Sequence, residues 1–359
     1  MTETRRLSFI AVAALFAALA APACGDDEHV PGAPGGKGGS SGAAGTAGAS
    51  ATGGTAGTGP DSGGGNISIT KTVEAPNPFD ATPDPDGKNV YFTAVDPTAG
   101  AGVFKVPVGG GAATTVHAGA PFVAPFGIAT STDGNTLYVA DPGSEYTDSA
   151  GAAQDGGQVF SLSPSGGTPA SIMGTTGYSP RGLEVRAQDG TDEIYFSGRD
   201  SSGVPGVFKV ATGGGTPSAI ASGSPFVDPS GVAVSAAGDV YVADTTNAES
   251  RTANVIVVKG GVASVLASDL RVGYPVGIAL AQGDGTLFVS GLNPETLNDL
   301  VLASDIGSKA VSRYEGSPEN NIGMFQEPAG LHRAKQANVF AWADSKANAG
   351  GTVYTLTIE

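Results

Sequence analysis

Apolar and polar positions alternate along most of the chain in a unit that returns six times. Most copies read Pro-x-Gly-apolar-x-apolar, then a polar turn, then apolar-aromatic-apolar. The copies begin at Pro78, Pro125, Pro180, Pro229, Pro275 and Pro328, at spacings of 47, 55, 49, 46 and 53 residues. Pro125-Phe-Gly-Ile-Ala-Thr with Leu137-Tyr-Val-Ala-Asp141 matches Pro275-Val-Gly-Ile-Ala-Leu with Leu287-Phe-Val-Ser-Gly291. A recurrence of this length marks a repeat architecture. Its local period of two and its Gly-rich turns make the units strands, not helices.

Each copy has room for four strands. The fourth copy supplies Gly231–Val234, Val240–Ala243, Val255–Val258 and Ala263–Leu266. Asp-Gly pairs at 86–87, 133–134, 189–190 and 284–285 supply the backbone angles of tight hairpins between the first two strands. The sixth copy stops at its third strand, Val353–Ile358, whereas an unattached strand-like segment, Ile67–Val73, precedes the first. Pairing that segment with the last strand would leave no bare edge. The expected fold is therefore all-β: a six-bladed β-propeller of four-stranded antiparallel blades over residues 66–359, with the N-terminal strand closing the last blade.

In such a disc the tight turns lie on one face. The long connections, such as 141–158, 245–254 and 316–327, lie on the other. Binding residues concentrate on long loops over a rigid scaffold, so the second face is the candidate site. It is rich in carboxylates, which suits a hard cation or a basic partner. Asp141 and Asp244 end equivalent strands, and are expected to fix their own loops through backbone amides.

The six copies also differ at telling positions. Asp80 stands where the other five have Gly, and Glu184 and His332 stand where three copies have Ala129, Ala233 and Ala279. Asn77, Asp80, Arg181, Glu184, Asp228, Glu327 and His332 are the candidate binding residues around the channel mouth. Asp80, Glu184 and His332 are the candidate metal ligands or acid–base groups.

The first 65 residues are of another kind. Arg5 and Arg6 precede an apolar run, Leu7–Ala21, which ends in Ala21-Pro-Ala-Cys24. This is the form of a secretory signal, and its ending resembles the lipobox of bacterial lipoproteins. That resemblance implies a signal peptide over 1–23 and an acylated Cys24 that anchors the chain in a membrane. Gly25 rather than Asp follows the cysteine, which resembles an outer-membrane address. Residues 25–65 become Gly, Ala, Ser and Thr and are expected to form a disordered tether. The expected location is the cell envelope, at the outer membrane.

Composition narrows the function. The 359 residues carry a formal charge of −16, which argues against nucleic acid, whose phosphates need Lys and Arg. Cys24 is the only cysteine, so no intrachain disulfide or Cys-based zinc site can form. No catalytic fingerprint of the common hydrolase, nucleotide-binding or metalloprotease kinds occurs.

The stretch Gly238-Asp-Val-Tyr-Val-Ala-Asp-Thr-Thr-Asn247, with the preceding Pro-Ser-Gly-Val-Ala-Val, resembles an NHL repeat. More broadly the chain is similar to the six-bladed group that includes gluconolactonase and regucalcin-like lactonases and TolB-type propellers. The lactonase likeness implies a divalent metal, such as calcium, at one mouth of the channel. The Glu-Gly-Pro signature of that family is replaced here by Asn77-Pro-Phe-Asp80. Two main functions are thus set against each other. One is a monomeric envelope lipoprotein whose propeller is a non-enzymatic platform for a protein or carbohydrate ligand. The other is a calcium-dependent hydrolase or lyase acting at the channel mouth.

Overall fold

A computed structural model describes residues 67–147, 151–154, 156–272, 276–293, 298–316 and 323–358. The expected signal peptide, Cys24 and the expected tether lie outside the described residues, as do stretches within four of the connections. The described chain is built of strands, with one short 3-10 turn at Ala347–Ala349.

Four sheets of four antiparallel strands follow the repeat. One joins Gly127–Thr130, Leu137–Asp141, Gln158–Leu162 and Ala170–Ser171. The next joins Leu183–Gln188, Thr191–Arg199, Pro205–Ala211 and Ser218–Ser222. A third runs Pro229–Val234, Val240–Asn247, Thr252–Lys259 and Val262–Arg271. The fourth runs Ile278–Leu280, Thr286–Leu292, Asp299–Asp305 and Val311–Glu315. The first and sixth copies form one eight-stranded sheet. Its two halves meet at Pro78–Pro83 and Pro328–Arg333 through a single parallel pairing, Ala81 with Leu331.

The chain ends meet as expected. Ile67–Glu74 pairs antiparallel with Thr352–Ile358, from Ile67 opposite Ile358 to Glu74 opposite Thr352. Ile69 is buried there, and the hydroxyls of Thr72 and Thr355 share a hydrogen bond of 3.0 Å.

The core lies between the sheets as six apolar clusters, each drawn from two successive copies. Tyr91, Val103 and Phe122 pack on Ile128, Leu137 and Val139. At the joint of the last copy with the first, Ala341 and Val353 pack on Ala81, Val90 and Phe92. The pattern follows from alternation: both faces of each blade meet a neighbour, so both carry apolar side chains. Small residues opposite aromatics keep the faces flush, as in Ala129 opposite Tyr138, Ala233 opposite Tyr241 and Ala279 opposite Phe288.

The tight turns staple neighbours together. Thr132 N–H donates to Asp192 at 2.8 Å, Ala236 N–H to Asp284 at 2.5 Å, Gln282 N–H to Asn338 at 2.8 Å and Gln336 N–H to the Pro85 carbonyl at 2.8 Å. Gly134, with φ of +74°, presses on Pro85 in the adjoining turn. These contacts tie neighbouring copies together across the tight-turn face.

Candidate functional site on the axis and the loop face

The innermost strands touch in sequence around one axis, and glycine makes this approach possible. A Cβ on Gly127 would collide with the Arg181 carbonyl, one on Gly182 with the Ser230 carbonyl and one on Gly231 with the Val276 carbonyl. One on Gly277 would strike Leu331, and one on Gly330 would strike the Asp80 carboxylate. Asp80 closes the circle: its Oδ2 accepts from Ile128 N–H at 2.8 Å. At the loop-face end of these strands lies a cavity of about 20 Å³ that all six copies line, through Asp80, Phe126, Arg181, Ser230, Val276 and His332 among others.

Three residues that break the repeat meet on this axis. His332 Nε2 lies 3.0 Å from Asp80 Oδ2, and its Nδ1 lies 3.9 Å from Glu184 Oε2. Glu184 Oε1 is paired with Lys335 Nζ. The result is a chain of alternating charge, Asp80–His332–Glu184–Lys335. Burial alone would drive the imidazole towards neutrality; Asp80 and Glu184 outweigh it and push the His332 pKa up to about 9. Burial would likewise raise Glu184, but Lys335 and His332 bring its pKa down to about 2. Ile128 and Ala81 N–H add two donors to Asp80.

This donor set does not fit a divalent ion as it stands. Lys335 already holds the Glu184 carboxylate, and two backbone N–H groups and His332 already engage Asp80. Among the described residues, no group of three or more His, Cys, Asp or Glu side chains is arranged to hold a metal.

The loop face is built by a second set of carboxylates. Asp141 accepts from the N–H groups of Val123 (2.7 Å), Ala124 (3.0 Å) and Gly143 (3.0 Å). Asp244 accepts from Val227 (3.0 Å) and Asp228 (2.8 Å). Asp344 accepts from Gln326 (2.7 Å), Glu327 (2.9 Å), Lys346 (3.2 Å) and Ala347 (2.9 Å). Each clamps the two amides that precede the proline opening its copy. The three carboxylates are fully buried, and burial pushes their pKa values up, to about 6 for Asp244. Asp96 and Asp200 likewise cap their own loops, accepting from Thr98 and Ala99, and from Ser202 and Val204. Much of the acidity of this face is therefore turned inward, onto backbone amides.

The other candidates fall around this frame. Arg181 lines the cavity and pairs with Asp228 at 2.5 Å; Arg199 joins from 3.3 Å and also donates to the Val227 carbonyl. Glu327 pairs with Lys346 at 2.8 Å and accepts from Ser345. Asn77 is exposed, with φ of 43°, and donates to the Val95 carbonyl. The structure thus gathers Asp80, Glu184 and His332 into one cluster and Arg181 and Asp228 beside it. It turns Asn77 and Glu327 to other partners. Sequence reasoning missed Lys335 and the Arg251–Asp299 pair at 2.6 Å. That pair spans 48 residues, and burial lifts the Asp299 carboxyl to about 7 despite the guanidinium.

These features define the class: an all-β, propeller-like assembly of four-stranded blades whose inner strands enclose a polar axis. Within it, residues 226–249 match the NHL repeat. A chain in the crystal structure of a nidogen/laminin complex superposes with a TM-score of 0.51 at 15% identity, over 68% of this chain and 81% of that one. TolB from Acinetobacter baumannii gives 0.50 at 11% identity, over 67% of this chain and 55% of its own. A protein of unknown function from Dyadobacter fermentans gives 0.51 at 13%, over 81% and 96%. At such identities the likeness speaks to fold alone, that of a β-propeller. No curated protein matches the sequence significantly.

Proposed function

We propose that the chain presents a six-bladed β-propeller as a non-enzymatic binding platform, held at the cell envelope by a lipid on Cys24. The six-fold count is supported by six sequence copies, six inter-copy clusters and the circle of inner-strand contacts, with the eight-stranded sheet read as the first and last blades joined. The observation that carries the binding role is the clamped loop face. Asp141, Asp244 and Asp344 fix its loops in place by accepting hydrogen bonds from backbone amides, so that a partner meets a preformed surface and little ordering entropy is lost on contact. Val123 and Val227, at equivalent clamped positions, stay exposed there at 55% and 46%. That a chain of similar fold occurs in a nidogen/laminin complex fits a protein-binding use of this scaffold.

Two measurements test this reading. Co-purification from envelope extracts should recover a defined partner that Val123→Glu with Val227→Glu abolishes and substitutions in the 133–136 turn do not. Equal loss from both faces would contradict it. For the anchor, Cys24→Ser should abolish metabolic labelling with an alkynyl fatty acid and release the protein from the membrane fraction. Labelling that persists would sink the lipoprotein proposal. The hydrolase or lyase reading gains nothing from the axial cluster, whose carboxylates are already paired with cations.

A further inference from the structure

Ser230 is the one side chain lining the axial cavity that is both buried and, among the described residues, without a hydrogen-bond partner at its hydroxyl. Its backbone carbonyl is taken by Ser197 Oγ, so the residue is held with its own Oγ unanswered. An unmet hydroxyl sealed from water costs free energy. The cavity beside it, about 20 Å³, is large enough for one oxygen-sized occupant and too small for more.

The walls offer a second partner. A carboxylate has about four lone-pair sites. Asp80 uses three, for Ala81 N–H, Ile128 N–H and His332 Nε2. The remaining site is on Oδ1, and Gly330 is where the wall lacks a side chain next to that oxygen. Phe126, half-buried, also lines the cavity, with the Phe79 ring 5.0 Å away.

We propose that the cavity is a binding site for a single hydroxyl-sized oxygen, which bridges Ser230 Oγ and the Asp80 carboxylate. Two sources share this chemistry. One is a water held in the free protein. The other is one hydroxyl of a polyol or saccharide whose carbon face lies against Phe126 and Phe79. Only the second source rests on the binding role proposed above.

The sign of a single substitution tests the site itself. If the cavity is dry, Ser230→Ala removes an unsatisfied hydroxyl and raises Tm. If an oxygen bridges there, the same change orphans that oxygen and lowers Tm by about 2–4 °C. A crystal structure that resolves ordered waters should show density between Ser230 and Asp80 in the wild type and none in Ser230→Ala. A rise in Tm, or an empty cavity in the wild type, overturns the proposal. D-Glucose, D-galactose and glycerol serve as probes for the second source. Each shifts Tm non-specifically as an osmolyte, so the readout is the excess shift of wild type over Ser230→Ala. An excess with any of them places a ligand hydroxyl in the cavity. Equal shifts with all three overturn the polyol and saccharide source and leave the water. Loss of the envelope partner in the loop-face variants, by contrast, has no bearing on the sign of the Ser230→Ala shift.

Discussion

Asp141, Asp244 and Asp344 on the loop face and Asp80 and Glu184 on the axis are all shielded acids, but they are answered differently. The loop-face acids meet backbone amides, two to four each, and no cation lies within ion-pairing distance of them among the described residues. The axial acids meet His332 and Lys335. Amide clamps recur from copy to copy at the same place, so they belong to the architecture. The axial charges sit only where a copy departs from the repeat, so they belong to this protein. Burial lifts the first set, and Asp244 reaches about 6, whereas the neighbouring cations bring Glu184 down to about 2. Acids that build the scaffold and acids that individualise it are thus separable by pH.

The comparison breaks most severely if the scaffold itself opens. Deletion of residues 67–74 strips the pairing partner from Thr352–Ile358 and exposes the seam between the chain ends. A fall in Tm of at least about 10 °C is expected in thermal unfolding; an unchanged melt would show that the terminal pairing is dispensable. Asp344→Ala comes next, because it orphans four amides at once. A loss of about 3–5 kcal/mol in denaturant unfolding is expected, and a loss under about 1 kcal/mol would deny the clamp its role. The smallest effect belongs to the exposed Lys346 at the same loop. Lys346→Ala breaks the contact with Glu327 and should change stability by no more than about 0.5 kcal/mol.

Much of this was legible in the chain. Six copies, five of them opening Pro-x-Gly, foretold the four-stranded sheets, the truncated last copy implied the terminal pairing, and Asp141 and Asp244 stood out as loop-fixing residues. Asp80, Glu184 and His332 were visible because a strict repeat makes exceptions conspicuous. Lys335 was not, since its turn has no fixed counterpart and the reach of a long side chain depends on which strands converge. Asp344 stands opposite Pro328 as Asp244 stands opposite Pro229, but Ala341-Trp342 in place of Tyr241-Val242 shifts the aromatic by one position and hides the equivalence. Asn77 and Glu327 were placed near the mouth by sequence position alone. The structure gives them local partners, the Val95 carbonyl and Lys346.

The signs of the pH dependence follow from the two environments. Asp244 and Asp299 hold protons more tightly folded than unfolded. They favour the folded state at low pH, and that advantage fades as pH climbs from about 4 to about 6 and 7. Glu184 acts oppositely: its contribution is present above its ordinary value of 4.5 and fades as pH falls towards about 2. His332 contributes fully below its ordinary 6.5, and its share, on the order of 3 kcal/mol, is lost as pH rises through about 9.

The most direct measurement is a thermal-unfolding series from about pH 4 to about pH 9 on the wild type, His332→Gln and Asp244→Asn. The wild type should lose Tm between pH 6.5 and about 9. His332→Gln should be less stable at pH 6.5 and nearly flat above it, while Asp244→Asn keeps the alkaline slope and loses part of the acid one. A His332→Gln profile that runs parallel to the wild type above pH 6.5 would contradict the axial charge chain.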